Sequence, residues 1–149
     1  MIFLSHDHHS GLLFCWKIKE GLKKGIDALR IRSYINYFWK SHLNQHFQEE
    51  EALLFNRLND SLTMQAKQEH AMLTERINRM NYYEIENEQD FLSFAELMIK
   101  HIRFEERILF PHLEKELPNS ALETVGAYLA QQHQVPFKED YPDKFWENQ

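Results

Sequence analysis

Apolar residues recur at three- and four-residue steps through four long stretches of the chain, the period of helices that bury one face. Ser5 reads as an N-cap, and a first helix is expected from His6 to about Lys24, with Gly21 and Gly25 loosening its end. A second is expected from about Leu29 to Leu58, where Asn59-Asp60-Ser61 breaks it, and a third from about Leu62 to Asn81. The polar run Glu86 to Gln89 marks a soft boundary before a fourth helix, about Asp90 to Lys115. Pro118-Asn119-Ser120 resets the chain, and Ser120 with Glu123 reads as a capping box for a short fifth helix ending near His133. The tail from Gln134 carries Phe137, Tyr141, Phe145 and Trp146, a density that suits a strap laid on the body.

Breaker residues reinforce this picture. Among 149 residues there are four Gly and four Pro, all four Pro lie at or after Pro111, and no Gly occurs between Gly25 and Gly126. Val appears twice and Thr three times. A sheet protein needs frequent turn residues and favours β-branched side chains. The expected fold is therefore all-α: an up-down-up-down four-helix bundle with a short extra C-terminal helix and an aromatic tail. With no linker or low-complexity stretch, residues 1–149 read as a single domain, with the bundle over about 5–117 and the extra helix and tail over about 118–149.

Charge and cysteine content narrow the partners. The formal net charge is −6, which argues against nucleic acid as a partner. No apolar run approaches the roughly 18 residues that span a bilayer, so no membrane partner is expected. The opening MIFLSHDHH lacks the basic and apolar regions of a secretory leader. The single cysteine, Cys15, excludes an internal disulfide and a multi-thiolate metal site, and fits a reducing, cytoplasmic setting.

One internal repeat carries the candidate chemistry. Residues 46–58 read HFQEEEALLFNRL and residues 101–113 read HIRFEERILFPHL, offset by 55 positions on the second and fourth helices. These helices lie diagonally across an antiparallel bundle. The first and third helices add their own His: the cluster at 6, 8 and 9, and His70. Residues four apart on a helix differ by about 40° in phase. His46 and Glu50 thus share a face with Ile35, Trp39 and Leu53, and His101 and Glu105 share one with Phe94, Leu97 and Ile108. His70 lies on the stripe Ala66, Leu73, Ile77. Each group falls in an apolar seam, where an unpartnered ionised carboxylate costs several kcal/mol. Bound cations reverse that sign. Imidazole and carboxylate without thiolate suit iron, manganese or zinc, and two carboxylates flanked by two His on either side favour a dinuclear site.

On the first helix the seam ranks the candidates. From His8, helical steps meet Leu4, Gly11, Cys15, Ile18 and Leu22, apolar throughout. From His9 they meet Leu12, Trp16, Lys19 and Lys23, which turns polar. His8 is preferred, His9 stays open, and His6 ranks third. Cys15 reads as a small core residue. His42, four residues before His46, reads as a polar helix residue, an extension of the site, or an outer hydrogen-bond partner of it. His112 and His133 read as boundary residues. Glu49, Glu51 and Glu106 read as solvated flanks that could orient an imidazole.

The ordered set — a His on the first helix, HFQEE on the second, EHAML on the third, HIRFEERILFP on the fourth — resembles the hemerythrin-like HHE cation-binding family over roughly Leu4 to Leu117. The resemblance implies a four-helix bundle around two iron ions, a non-heme di-iron centre with an oxo or hydroxo bridge and an open position. Its metal residues here would be His8 or His9, His46, Glu50, His70, His101 and Glu105. The chain departs from oxygen-carrying hemerythrins. Thr74 stands where those have a second third-helix His, and the fourth-helix carboxylate lies four residues after His101, with Glu106 in the fifth place. It is closer to the four-His, two-Glu type associated with iron–sulfur repair and with nitric oxide or iron sensing. A ferritin-like site would need Glu three residues before a His, which no His here has.

Three functional classes follow. The first is a di-iron module binding or sensing iron or a small redox ligand: oxygen, nitric oxide or peroxide. The second is a di-iron oxidoreductase or iron–sulfur repair-type enzyme, for which His42 and Thr74 are the nearest proton-donor candidates and no other catalytic residue is evident. The third is a metal-free helical interaction module. The sequence does not decide whether the chain is an enzyme, and it names no protein partner.

Overall fold

The computed structural model describes residues 2–82 and 87–147, with side chains from residue 7 onward. Five helices account for the fold among these residues, and no strand is present. Helix α1 is Ile2–Lys23. Helix α2 runs over 28–53 and contains a π-helical turn, Trp39–Leu43, between Ala28–Phe38 and Asn44–Leu53. Helix α3 is Ser61–Tyr82. Helix α4 runs over 88–116, with a second π turn, Glu105–Leu109, between Glu88–Phe104 and Phe110–Glu116. Helix α5 is Asn119–Gln132. Around the bundle, α1 packs on α2 and α4, and α3 packs on the same two, which puts α2 and α4 on a diagonal.

The helix ends follow local chemistry. Gly25 adopts φ +66° and closes α1, with the Ile26 N–H donating to Gly21 O and the Gly25 N–H to Leu22 O. Asp60 caps α3 by accepting from the Leu62 and Thr63 N–H groups, and Asn87 caps α4 by accepting from the Gln89 N–H. Three expectations at the ends are corrected. Helix α1 begins at Ile2, not after a Ser5 cap, because nothing between residues 2 and 6 breaks a helix; the Ser5 side chain and Glu86 lie outside the described residues. Helix α2 does not continue to Leu58. It ends at Leu53, Leu54 turns to φ −120°, and a 3-10 turn at Phe55–Arg57 follows. Ser120 and Glu123 do not cap α5: Pro118 occupies the cap position in extended conformation, so Ser120 already lies inside the helix, its carbonyl accepting from Thr124 Oγ1.

Two apolar clusters fill the bundle. The larger gathers Phe14, Cys15, Ile18, Tyr34, Phe38, Leu73, Phe91 and Phe94, and the smaller gathers Leu54, Phe55, Leu109, Leu113, Val125 and Leu129. The tail is a strap on the larger cluster. The Tyr34 ring lies 5.2 Å from Tyr141, 5.5 Å from Phe145 and 5.2 Å from Trp146. Arg30 forks onto Asp143 at 2.7 and 2.9 Å, and Lys17 pairs with Glu139. Gly21 does not loosen α1. It seats the strap, since a Cβ there would lie 2.6 Å from the Phe145 ring.

Candidate metal centre

The two π turns set the phase of the candidate ligands. In each, an N–H reaches back five residues, from Asn44 to Trp39 O and from Phe110 to Glu105 O. The extra residue rotates the following helix by about 100° relative to an uninterrupted one. On α2 this brings Phe38, His42 and His46 into the core while Trp39 stays half-buried. On α4 it turns Ile108 outward to 50 % exposure and buries Leu109 and Phe110, so Ile108 does not share the His101–Glu105 face as the simple periodicity predicts.

Six side chains meet between the two apolar clusters. His8, His46, Glu50, His70, His101 and Glu105 are each at most 4 % exposed. All four imidazoles aim Nε2 inward at two carboxylates. Glu50 Oε1 lies 3.3 Å from His46 and 3.1 Å from His70, and its Oε2 lies 3.7 Å from His8. Glu105 Oε1 lies 3.1 Å from His8 and 3.5 Å from His101, and its Oε2 lies 4.0 Å from His70. Aromatic rings shield the cluster. Phe110 stacks on His8 at 5.3 Å, and Phe47 stacks on His70 at 3.9 Å.

On their outer side the imidazoles meet a second set of carboxylates. His46 Nδ1 lies 3.0 Å from Asp7, His70 Nδ1 2.9 Å from Glu51, and His101 Nδ1 2.6 Å from Glu69. His8 Nδ1 lies 3.5 Å from Glu106. An ionised carboxylate only accepts hydrogen bonds, so Nδ1 donates in the first three and a neutral ring presents its Nε2 lone pair inward. The pattern is cyclic. Each of α1 to α4 carries an inner group beside an outer carboxylate — Asp7/His8, Glu50/Glu51, Glu69/His70, Glu105/Glu106 — and each outer carboxylate faces the imidazole of the next helix round the bundle.

The two inner carboxylates draw positive charge to the centre, carried either by protonated imidazoles or by a cation. Burial works to lower the His8 imidazole, yet Glu105 and Glu50 push it up to about 9. Burial is likewise overridden at His101, which Glu105 and Glu69 push up to about 10. His46 is held well above its ordinary value against burial, chiefly by Glu50 and Asp7. Burial would raise the Glu50 carboxyl, but His46, His70 and His8 hold it well below its ordinary value. His8 Nε2, His70 Nε2, His101 Nε2, both Glu50 oxygens and Glu105 Oε2 are buried without a hydrogen-bond partner. A buried polar group left so costs about 1–3 kcal/mol. Cations would satisfy these atoms together, so the residues present fit a metal centre.

Two groups of candidate ligand atoms, each within 4.8 Å of one another, can be drawn: His8, His46, Glu50, Glu105 and Glu50, His70, His101, Glu105. Asp7, His42 and His46 form a third. The third shares His46 through its outer nitrogen, and a neutral imidazole offers one lone pair, already directed inward. His42 Nε2 stands 3.8 Å from Asp7, and its ring stacks on Phe137 of the strap at 4.4 Å. His42 is thus packed beside the outer side of His46, between the centre and the strap.

His9 is not brought to the cluster: it is exposed, on the polar side of α1. The His6 side chain lies outside the described residues. Glu49 faces His133 at 2.8 Å and His112 faces Asp60 at 2.7 Å, away from the centre. Thr74 Oγ1 donates to His70 O on its own helix. The sequence reading missed Asp7 and Glu69. The available signal was an acidic residue directly before His8 and His70, but neighbours on a helix diverge by about 100°, which hides a partner on another helix. Cys15 is buried in the core, and burial pushes its thiol up to about 12.

Compared with known proteins, the chain matches no curated protein and no solved structure. A family model does match: the hemerythrin HHE cation binding domain, over residues 2–113. That span begins with α1 and ends in the last turns of α4, so it contains every residue of the inner cluster, and the chain belongs to the hemerythrin HHE cation binding domain family.

Proposed function

We propose that the chain holds two iron ions and binds or senses a small redox ligand such as oxygen, nitric oxide or peroxide. The observation that carries the number two is the membership of Glu50 and Glu105 in both four-residue groups, with His8 and His46 completing one and His70 and His101 the other. An oxygen-and-nitrogen set without thiolate suits iron and also manganese or zinc; the choice of iron rests on the family. A bound iron pair would supply redox chemistry and coordination positions open to a small ligand. The chain's own residues bind through Nε2 and carboxylate oxygens, orient the rings through Nδ1, and exclude water with Phe47, Phe55 and Phe110.

On the outer side of His70 lies a groove of about 390 Å³, lined by Trp39, Phe47, Glu51, Lys67, His70 and Thr74. Cys15, buried and without a disulfide, suits a cytoplasmic setting. The test is metal content with an absorption spectrum on protein expressed with iron. Close to two iron ions per chain is expected, with a near-ultraviolet band that changes on reduction or on adding nitric oxide. A ratio near one overturns the dinuclear reading. No metal, with His46→Ala leaving the melting temperature unchanged or raised, returns the chain to a helical interaction module.

A further inference from the structure

The cyclic arrangement of outer carboxylates is closed on three sides and open on the fourth. Asp7–His46, Glu51–His70 and Glu69–His101 are hydrogen bonds of 2.6 to 3.0 Å. Glu106 stands 3.5 Å from His8 and is shared with Arg103, 3.3 Å away. From this difference we infer that Asp7, Glu51 and Glu69 are positioning residues that fix the imidazoles of the neighbouring helices for cation binding, and that Glu106 is not. The inference rests on the proposed reading of the centre. It adds that affinity is set by residues outside the ligand shell, one from each of α1, α2 and α3.

Glu51 and Glu106 make a matched pair. Their side chains are 38 % and 35 % exposed, and each lies directly after an inner carboxylate. Of the two, only Glu51 closes a hydrogen bond to an imidazole. Outer partners of metal-bound histidines are worth about 10- to 100-fold in affinity. An amide in place of a carboxylate keeps an acceptor for Nδ1–H while losing its charge.

Cobalt(II) serves as the probe, because its visible absorption reports the geometry and donor strength of its ligands. Chelator competition on the full chain measures affinity. Asp7→Ala, Glu51→Ala and Glu69→Ala should each weaken cobalt(II) binding about 10- to 100-fold and change its visible spectrum. Asp7→Asn, Glu51→Gln and Glu69→Gln should recover part of the loss. Glu106→Ala should stay within about threefold of the unaltered chain, with its spectrum unchanged. Melting of the cation-free variants separates a folding defect from a binding one. If Glu51→Ala binds as tightly as the unaltered chain, or if Glu106→Ala loses as much as Glu51→Ala, the positioning assignment is overturned. If the unaltered chain binds no cobalt(II) and no iron, the proposed function fails first, and the two failures are distinct.

Discussion

The two copies of the thirteen-residue repeat share a pattern and reach the same buried set by different backbone routes. In each, His and Glu four apart enter the centre, and the Leu-Phe pair that follows is buried: Leu54 and Phe55 in one, Leu109 and Phe110 in the other. After Glu50 the helix runs only to Leu53, and Leu54 leaves helical geometry to enter a 3-10 turn. After Glu105 the helix continues through a π turn and on to Glu116. Each copy departs from the regular helix near its Leu-Phe pair, one through a 3-10 turn and the other through a π turn. Side-chain burial is the shared requirement, and the backbone device is local.

The largest effect should come from the residues both copies supply to the centre. Glu50→Ala and Glu105→Ala should each reduce bound metal towards zero, because each carboxylate belongs to both groups. Loss of only one ion in either variant would break the equivalence. For the unaltered chain, a cation at a thousandfold over its dissociation constant contributes about 4 kcal/mol, so chelator stripping should lower the melting temperature by roughly 10 °C. His46→Ala and His70→Ala each touch one of the two inner groups and should leave about one ion per chain.

Next are the paired aromatics. Phe55→Ala and Phe110→Ala should each cost about 3–5 kcal/mol in denaturant unfolding. Phe55 is 0 % and Phe110 6 % exposed, so similar losses are expected despite their different backbones. A large loss at only one would show that the π turn and the 3-10 turn are not equivalent solutions. Gly21→Ala, on the strap side, should cost about 1–3 kcal/mol by crowding Phe145. It should leave metal content untouched.

The smallest effect concerns the loop that follows the first copy. Asp60→Ala removes the cap of α3 and should cost about 1 kcal/mol at neutral pH. The hydrogen bond from His112 holds the Asp60 carboxyl below its ordinary value near 3.8. A carboxyl lowered in the folded state stabilises above its unfolded value and loses that contribution as pH falls through the folded one. The gap between Asp60→Ala and the unaltered chain should therefore be full above the ordinary carboxyl value and narrow as pH falls below it. A gap that stays constant down to acid would remove the ion-pair contribution and leave only the neutral cap.

Much of the buried cluster was legible because a spacing of four residues is a property of a single helix. The apolar seam through Leu4, Gly11, Cys15 and Ile18 ranked His8 above His9 without closing the choice, and the structure buries His8 and exposes His9. Spacing four apart joined His46 to Glu50 and His101 to Glu105. Extrapolation along the same helices failed at Ile108 because a π turn intervenes, and no Gly or Pro within Glu105–Leu109 announces it. Asp7 and Glu69 were missed because each acts on a ring carried by a different helix.

By itself the sequence determined that the chain is helical, where its helices lie to within a few residues, and which His and Glu face inward. These follow from backbone periodicity, the scarcity of breakers and the phase of apolar positions. Only the tertiary structure decided where the helical phase slips, which carboxylate supports which imidazole, and where the strap lies. Those relations depend on the rotation and axial offset of one helix against another. Packing fixes these only when all four helices close on the same core, and no window of sequence contains that information.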